Sequence, residues 1–179
     1  MSKRLIKYGL LLLGAAALAL LQFSFISALP WPLNNFDLSL TVVIFSFLLF
    51  DRDDVWLIAV FLGFFLDVWL FHPFGTAILS LFLSALVLYF ILENLLTNRS
   101  LYSFLLLTII AVISNTLFTR IFLIIFDWSG SSAGHFLRSS LFWESLVWDL
   151  ILNLIVVGAV FSLLAILSRR LKPFFLKRR

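Results

Sequence analysis

"GFFLDVWLFHPFG", Gly63 to Gly75, sets one carboxylate, Asp67, inside a run of Phe, Leu, Val and Trp and closes that run with His-Pro-Phe-Gly. A charge among such neighbours in a bilayer costs roughly 3 kcal/mol or more, so it is kept only where it has a partner or a task. Gly63 and Asp67 are four residues apart and share a helix face. A glycine there lets a neighbouring helix come close beside the carboxylate. Pro73 and Gly75 mark a turn and the start of a following helix. The stretch therefore reads as one membrane helix ending, a tight turn, and a second helix beginning.

The rest of the chain agrees. Of 179 residues, 63% are hydrophobic and only 12% charged, with a mean hydropathy of +1.15; a soluble domain carries about twice that share of charge. The fold class is an all-α integral membrane protein, and 1–179 reads as a single membrane domain. The absence of cysteine excludes disulfides, thiolate metal sites and cysteine nucleophiles.

A helix needs about 20 apolar residues to cross a bilayer. Six transmembrane helices are predicted, at about 5–29, 38–50, 55–71, 75–92, 101–126 and 141–168, forming a single polytopic bundle followed by a basic tail at 169–179. The second segment is short, with about 13 residues, so a re-entrant hairpin of segments two and three is an alternative. Either arrangement leaves an even number of crossings. The first segment follows "SKRLIK" and has the look of a signal peptide, but its apolar run is long and Ile26 is too large for the third position before a cut after Ala28; an uncleaved helix is expected.

Orientation follows from Lys and Arg. Lys3, Arg4, Lys7, Arg52, Arg99 and the basic residues of 169–179 fall on one side of six alternating helices, and Arg138 alone falls in an opposite loop. The N and C termini are then cytoplasmic. Trp31, Trp69, Trp128, Trp143 and Trp148 gather near the outer boundary, and Trp56 marks the inner one. The tail "RRLKPFFLKRR" suits anionic lipids, and no nucleic-acid partner is expected.

Counted from the outer helix ends, Asp67 lies about 6 Å in, Arg120 about 9 Å, Asp149 about 12 Å, and Glu144 nearer the surface. Asn153 follows Asp149 by four residues on the same face, and Asn115 lies on the helix of Arg120. Asp67, Arg120, Asp149, Asn153 and Glu144 are therefore the candidate intramembrane polar cluster, with Arg120 as counter-ion to Asp67, Asp149 or both. Such a cluster serves as glue between helices, or lines a solute cavity.

Nothing points to an enzyme, a metal or a cofactor. His72 and His135 are the only histidines, neither has a neighbour at ligand spacing, and no Gly-x-Ser-x-Gly or paired-Asp motif occurs.

"LQFS" at Leu21 to Ser24, the Pro-rich turn after it, and Gly63, Asp67 and Gly75 in "GFFLDVWLFHPFGTAIL" resemble the rod shape-determining MreD family of bacteria. The resemblance implies a non-enzymatic, multi-pass component of the cell-elongation machinery in the bacterial cytoplasmic (inner) membrane. Its implied partners are an MreC-like bitopic protein and the peptidoglycan synthesis proteins of the elongation complex. That family looks related in fold to the substrate-binding S components of energy-coupling-factor transporters. A vitamin or small-solute uptake subunit is accordingly the alternative.

Overall fold

The computed structural model describes residues 2–49, 52–69, 73–94, 101–126 and 140–175. Among them are six α-helices: α1 (Ser2–Leu21), α2 (Leu38–Leu49), α3 (Arg52–Trp69), α4 (Thr76–Asn94), α5 (Leu101–Phe126) and α6 (Ser140–Phe175). A π-helical turn, Gln22–Ile26, continues α1, and a 3-10 turn, Leu33–Asn35, precedes α2.

Four stretches are long and apolar enough to cross a membrane: Ile6–Ile26, Thr76–Asn94, Tyr102–Phe126 and Phe142–Leu163. The other two helices fall short of that standard. α2 has 12 residues, about 18 Å of helix. α3 carries Arg52, Asp53, Asp54 and Asp67 within its 18 residues. Six comparable spans thus become four long helices and two lesser ones.

Helix ends also differ from the sequence expectation, each for a local reason. The first helix stops at Ile26 because the π turn leaves the Gln22 carbonyl to accept both the Ser27 amide (3.1 Å) and the Ser27 hydroxyl (3.1 Å). "DRDD" is not wholly a loop: Arg52 to Asp54 open α3, where Asp53 and Asp54 suit the positive end of the helix dipole. The expected separate tail begins as helix, since α6 continues to Phe175.

Apolar residues cover both faces of the long helices. On α5, Phe104, Leu107, Thr108, Ala111 and Val112 are buried, whereas Leu106, Ile109, Ile113, Leu117, Ile121 and Ile124 are exposed. In water that outer stripe would be a large apolar patch, whereas a bilayer solvates it with lipid chains. Sequence periodicity is weak for this reason: lipid and protein interior ask for the same residues.

α2 takes the central place. Ser39, Leu40, Thr41, Val43, Ile44, Phe45 and Ser46 are all buried, and the helix packs against each of the other five. A helix apolar all round belongs inside its bundle. Around it, α4 lies between α3 and α5, and α5 packs on α6. Phe104 joins two of these layers, stacked on Phe45 at 6.3 Å and tilted on Phe161 at 5.3 Å. Two of the buried hydroxyls are satisfied within their own helices: Ser84 and Thr108 each donate at 2.7 Å to the carbonyl four residues back.

Trp31, Trp69 and Trp143 are exposed, and Trp31 meets Trp148 edge-on at 5.9 Å. Trp56 packs against Phe47, Phe82 and Tyr89. Trp128, His72, His135 and Arg138 lie outside the described residues.

Candidate functional site

Asp67 is buried, and its partner is a helix end. Its Oδ2 accepts the amides of Gly75 (2.9 Å) and Ile78 (3.0 Å); its Oδ1 accepts the Ala77 amide (2.8 Å) and the Thr76 hydroxyl (3.2 Å). The Thr76 amide goes to the Pro73 carbonyl at 3.2 Å, and the Thr76 hydroxyl also donates there at 2.8 Å. A helix begins with orphan N–H groups and a partial positive charge. Here one carboxylate and one carbonyl satisfy them all where water is scarce.

Both glycines serve the same seating. Gly75 has φ +100°, a conformation that side chains resist. A Cβ on Gly63 would lie 2.6 Å from the Ile78 Cα, so only glycine lets α3 approach the first turn of α4 this closely. Gly63, Asp67, Pro73 and Gly75 are one device, and it joins α3 to α4. The expected pairing of Asp67 with Arg120 is therefore corrected: amide dipoles fill the role given to the guanidinium.

The remaining polar residues meet elsewhere, around Asp37, which sequence reading passed over. Asp37 caps α2, its Oδ1 accepting the Leu40 amide at 3.0 Å and its carbonyl accepting the Thr41 amide (3.2 Å) and hydroxyl (3.1 Å). Gln22 holds the residues on either side: its amide nitrogen donates to the Phe36 carbonyl (3.0 Å), and its Oε1 accepts the Leu38 amide (2.8 Å). Asn115 of α5 donates to Asp37 Oδ2 at 3.3 Å and accepts from Ser84 of α4 at 3.4 Å. The available signal was an Asp directly ahead of an apolar run, an N-cap pattern.

On α6, Asn153 is fully buried and donates to Asp149 Oδ1 at 2.6 Å, while its own Oδ1 accepts the Thr41 hydroxyl at 2.9 Å. α2 and α6 are thereby tied at the same end of the bundle. Asp149, Asp37, Asn115 and Arg120 line one cavity of about 480 Å³, with Asn35, Ser80, Thr116, Thr119 and Ser145 adding polar groups. Arg120 is partly buried, its guanidinium carbon 5.2 Å from the centre of the Phe142 ring. Asp67 does not line this cavity. Glu144 is exposed and does not line it either. The five-membered cluster read from sequence thus divides into a helix-capping carboxylate, a pocket with Asp149 and Arg120 in its wall and Asn153 behind, and a surface glutamate.

An ion pair lies on other helices. Lys7 of α1 meets the buried Asp54 of α3 at 2.6 Å. Among the described residues, no group of three or more His, Cys, Asp or Glu is placed to hold a metal ion.

Comparison with protein-family models, characterised proteins and solved structures finds no match to this chain.

Proposed function

We propose that this chain is a non-enzymatic assembly protein of the MreD kind, crossing the bacterial cytoplasmic membrane six times with both termini inside. The supporting observation is where the resembling residues sit. Gln22 of "LQFS" clamps the connection from α1 to α2, and Gly63, Asp67 and Gly75 seat α4 on α3. The residues that carry the resemblance are therefore those that shape the bundle, as expected if the likeness is one of fold. In this reading α2 and α3 cross along with the four long helices, sheathed by them, and the basic end of α6 lies against anionic lipid. The partners are an MreC-like bitopic protein and peptidoglycan synthesis proteins.

The test is purification of the tagged protein from its native membrane with its partners identified by mass spectrometry, alongside deletion of its gene. Recovery of elongation proteins, and cells that round or widen, is the expected result. Recovery of a transporter ATPase, with normal shape and a growth defect cured by one vitamin, would replace it with the second reading. That reading, a solute-binding subunit resembling an S component, is favoured by the polar cavity of about 480 Å³.

A further inference from the structure

α1 packs chiefly on α3 and only lightly on α2. Between the three helices lies a recess of about 600 Å³, walled by Leu10, Gly14 and Leu18 of α1, Val42 and Ser46 of α2, and Ile58 of α3. It is separate from the polar pocket, and no residue of α4, α5 or α6 lines it. Its wall is hydrocarbon along most of its length. The Ser46 hydroxyl donates to the Val42 carbonyl of its own helix at 2.7 Å, so that bond is already made. Lys7 supplies the charge, at one end.

Gly14 is an independent sign of an occupant. A Cβ there would meet nothing within 4 Å, so no neighbouring backbone of this chain needs the space. Glycine inside a helix weakens it. What the missing side chain does here is keep the recess open.

The dimensions choose between a lipid chain and a helix. Ile6 to Leu18 covers twelve helical steps, about 18 Å, and 600 Å³ over that length leaves a channel roughly 6–7 Å across. A helix with its side chains needs about 10–12 Å. A hydrocarbon chain fits. The length also matches one leaflet, about half of a hydrocarbon core some 30 Å thick. Lys7 stands where the apolar stretch Ile6–Ile26 begins, at the depth of a lipid headgroup. Its side chain is half exposed, whereas its partner Asp54 is buried. Lys3 and Arg4 precede it by four and three positions in α1, a helix with no acidic residue.

We propose that this recess holds one anionic phospholipid of the leaflet at that end, with an acyl chain seated along α1 from Leu10 to Leu18 and its phosphate beside Lys7. A phosphate oxygen accepts from an ammonium in a charge-assisted bond. The three helices enclose the chain, whereas the exposed stripe of α5 from Leu106 to Ile124 offers passing lipid a single helix face. The site requires the membrane character of the chain and neither the assembly reading nor the solute-binding one.

The test uses the full chain in nanodiscs of mixed phosphatidylglycerol and phosphatidylcholine, followed by release and native mass spectrometry. One phosphatidylglycerol should stay with each chain, favoured over phosphatidylcholine by at least about threefold, the scale of a half-exposed charge contact. Gly14→Phe fills the recess and should lose the lipid. Gly9→Phe should keep it, because Gly9 is equally open but does not line the recess. Lys7→Gln combined with Asp54→Asn removes both charges at once, strands neither, and should abolish the headgroup preference. The wild type gives a reading that needs no variant: phosphatidylglycerol with a photoreactive group in its acyl chain should label residues 10–18 above residues 106–124. Equal labelling of the two stretches, equal retention of the two lipids, or the same lipid content in both glycine variants overturns the proposal. Cross-linking of residues 10–18 to another protein's helix in the native membrane, with no lipid retained, overturns it in favour of a protein partner.

Discussion

At the scale of the residue, the seating of α4 makes unequal demands on glycines that look alike in sequence. Gly63→Ala pushes a methyl against the Ile78 backbone and should destabilise the fold by about 1–3 kcal/mol, the usual cost of overpacking. Gly14 has nothing within 4 Å of where its Cβ would stand, so Gly14→Ala should be neutral or slightly stabilising. Thermal unfolding in nanodiscs distinguishes the two, and equal losses would refute the close approach. Double-mutant cycles check the partner of Asp67. Asp67→Asn combined with Arg120→Leu should be additive, because Asp67 answers amides of α4, whereas Asp149→Ala with Asn153→Ala should show coupling. A coupling above about 0.5 kcal/mol in the first cycle would restore the side-chain pair. What was legible here was the shared face of Gly63 and Asp67. What Asp67 touches was not legible, because a backbone N–H leaves no mark in the sequence, and a search for opposite charge settles on the basic side chain nearest in depth.

The elements follow a similar division. The long helices could be placed from apolar length alone, since α4 and α5 lie within a few residues of their expected limits. The central position of α2 was hidden: a helix buried on every side shows no polar face to orient it. Its place depends on cross-links that sequence spacing does not announce, from Gln22, 16 residues before Leu38, and from Asn153, 112 residues after Thr41. Gln22→Leu removes both bonds of the α1–α2 clamp and leaves the Phe36 carbonyl and Leu38 amide to find other partners, which should cost about 1–3 kcal/mol. The same unfolding assay measures it, and an unchanged midpoint would show that the clamp is dispensable. For Thr41→Val with Asn153→Leu, a coupling near 0.6 and no more than about 1.7 kcal/mol is expected, as for other polar contacts between membrane helices.

For the whole molecule, the polar pocket, the α4 seat and the α1–α2 clamp all lie at the end where α2, α4 and α6 begin. The Lys7–Asp54 pair lies at the other, where α1 and α3 begin. In the proposed arrangement of six crossings, the excess of Lys and Arg at that second end puts it in the cytoplasm. A reporter active only in the cytoplasm should therefore work when fused after Asn94 or Phe175 and fail when fused after Asn34 or Phe126. Activity after Phe126 would overturn the six-crossing arrangement. The membrane character of the chain was legible in composition, and depth counting placed Asp67, Arg120 and Asp149 toward one end of their helices. The division of that cluster into a cap and a pocket was not, because depth along a helix says nothing about which neighbours stand beside it.

The capping of α4 by Asp67 bears on how the protein enters its membrane. If α3 crosses as proposed, its carboxylate meets lipid with no compensation while it emerges alone, and the first amides of α4 are equally bare. Each defect cures the other only when both helices have left the ribosome. In the proposed six-crossing arrangement α3 and α4 are therefore expected to enter the bilayer together as a hairpin, so that the step in biogenesis is the pair and not the single helix.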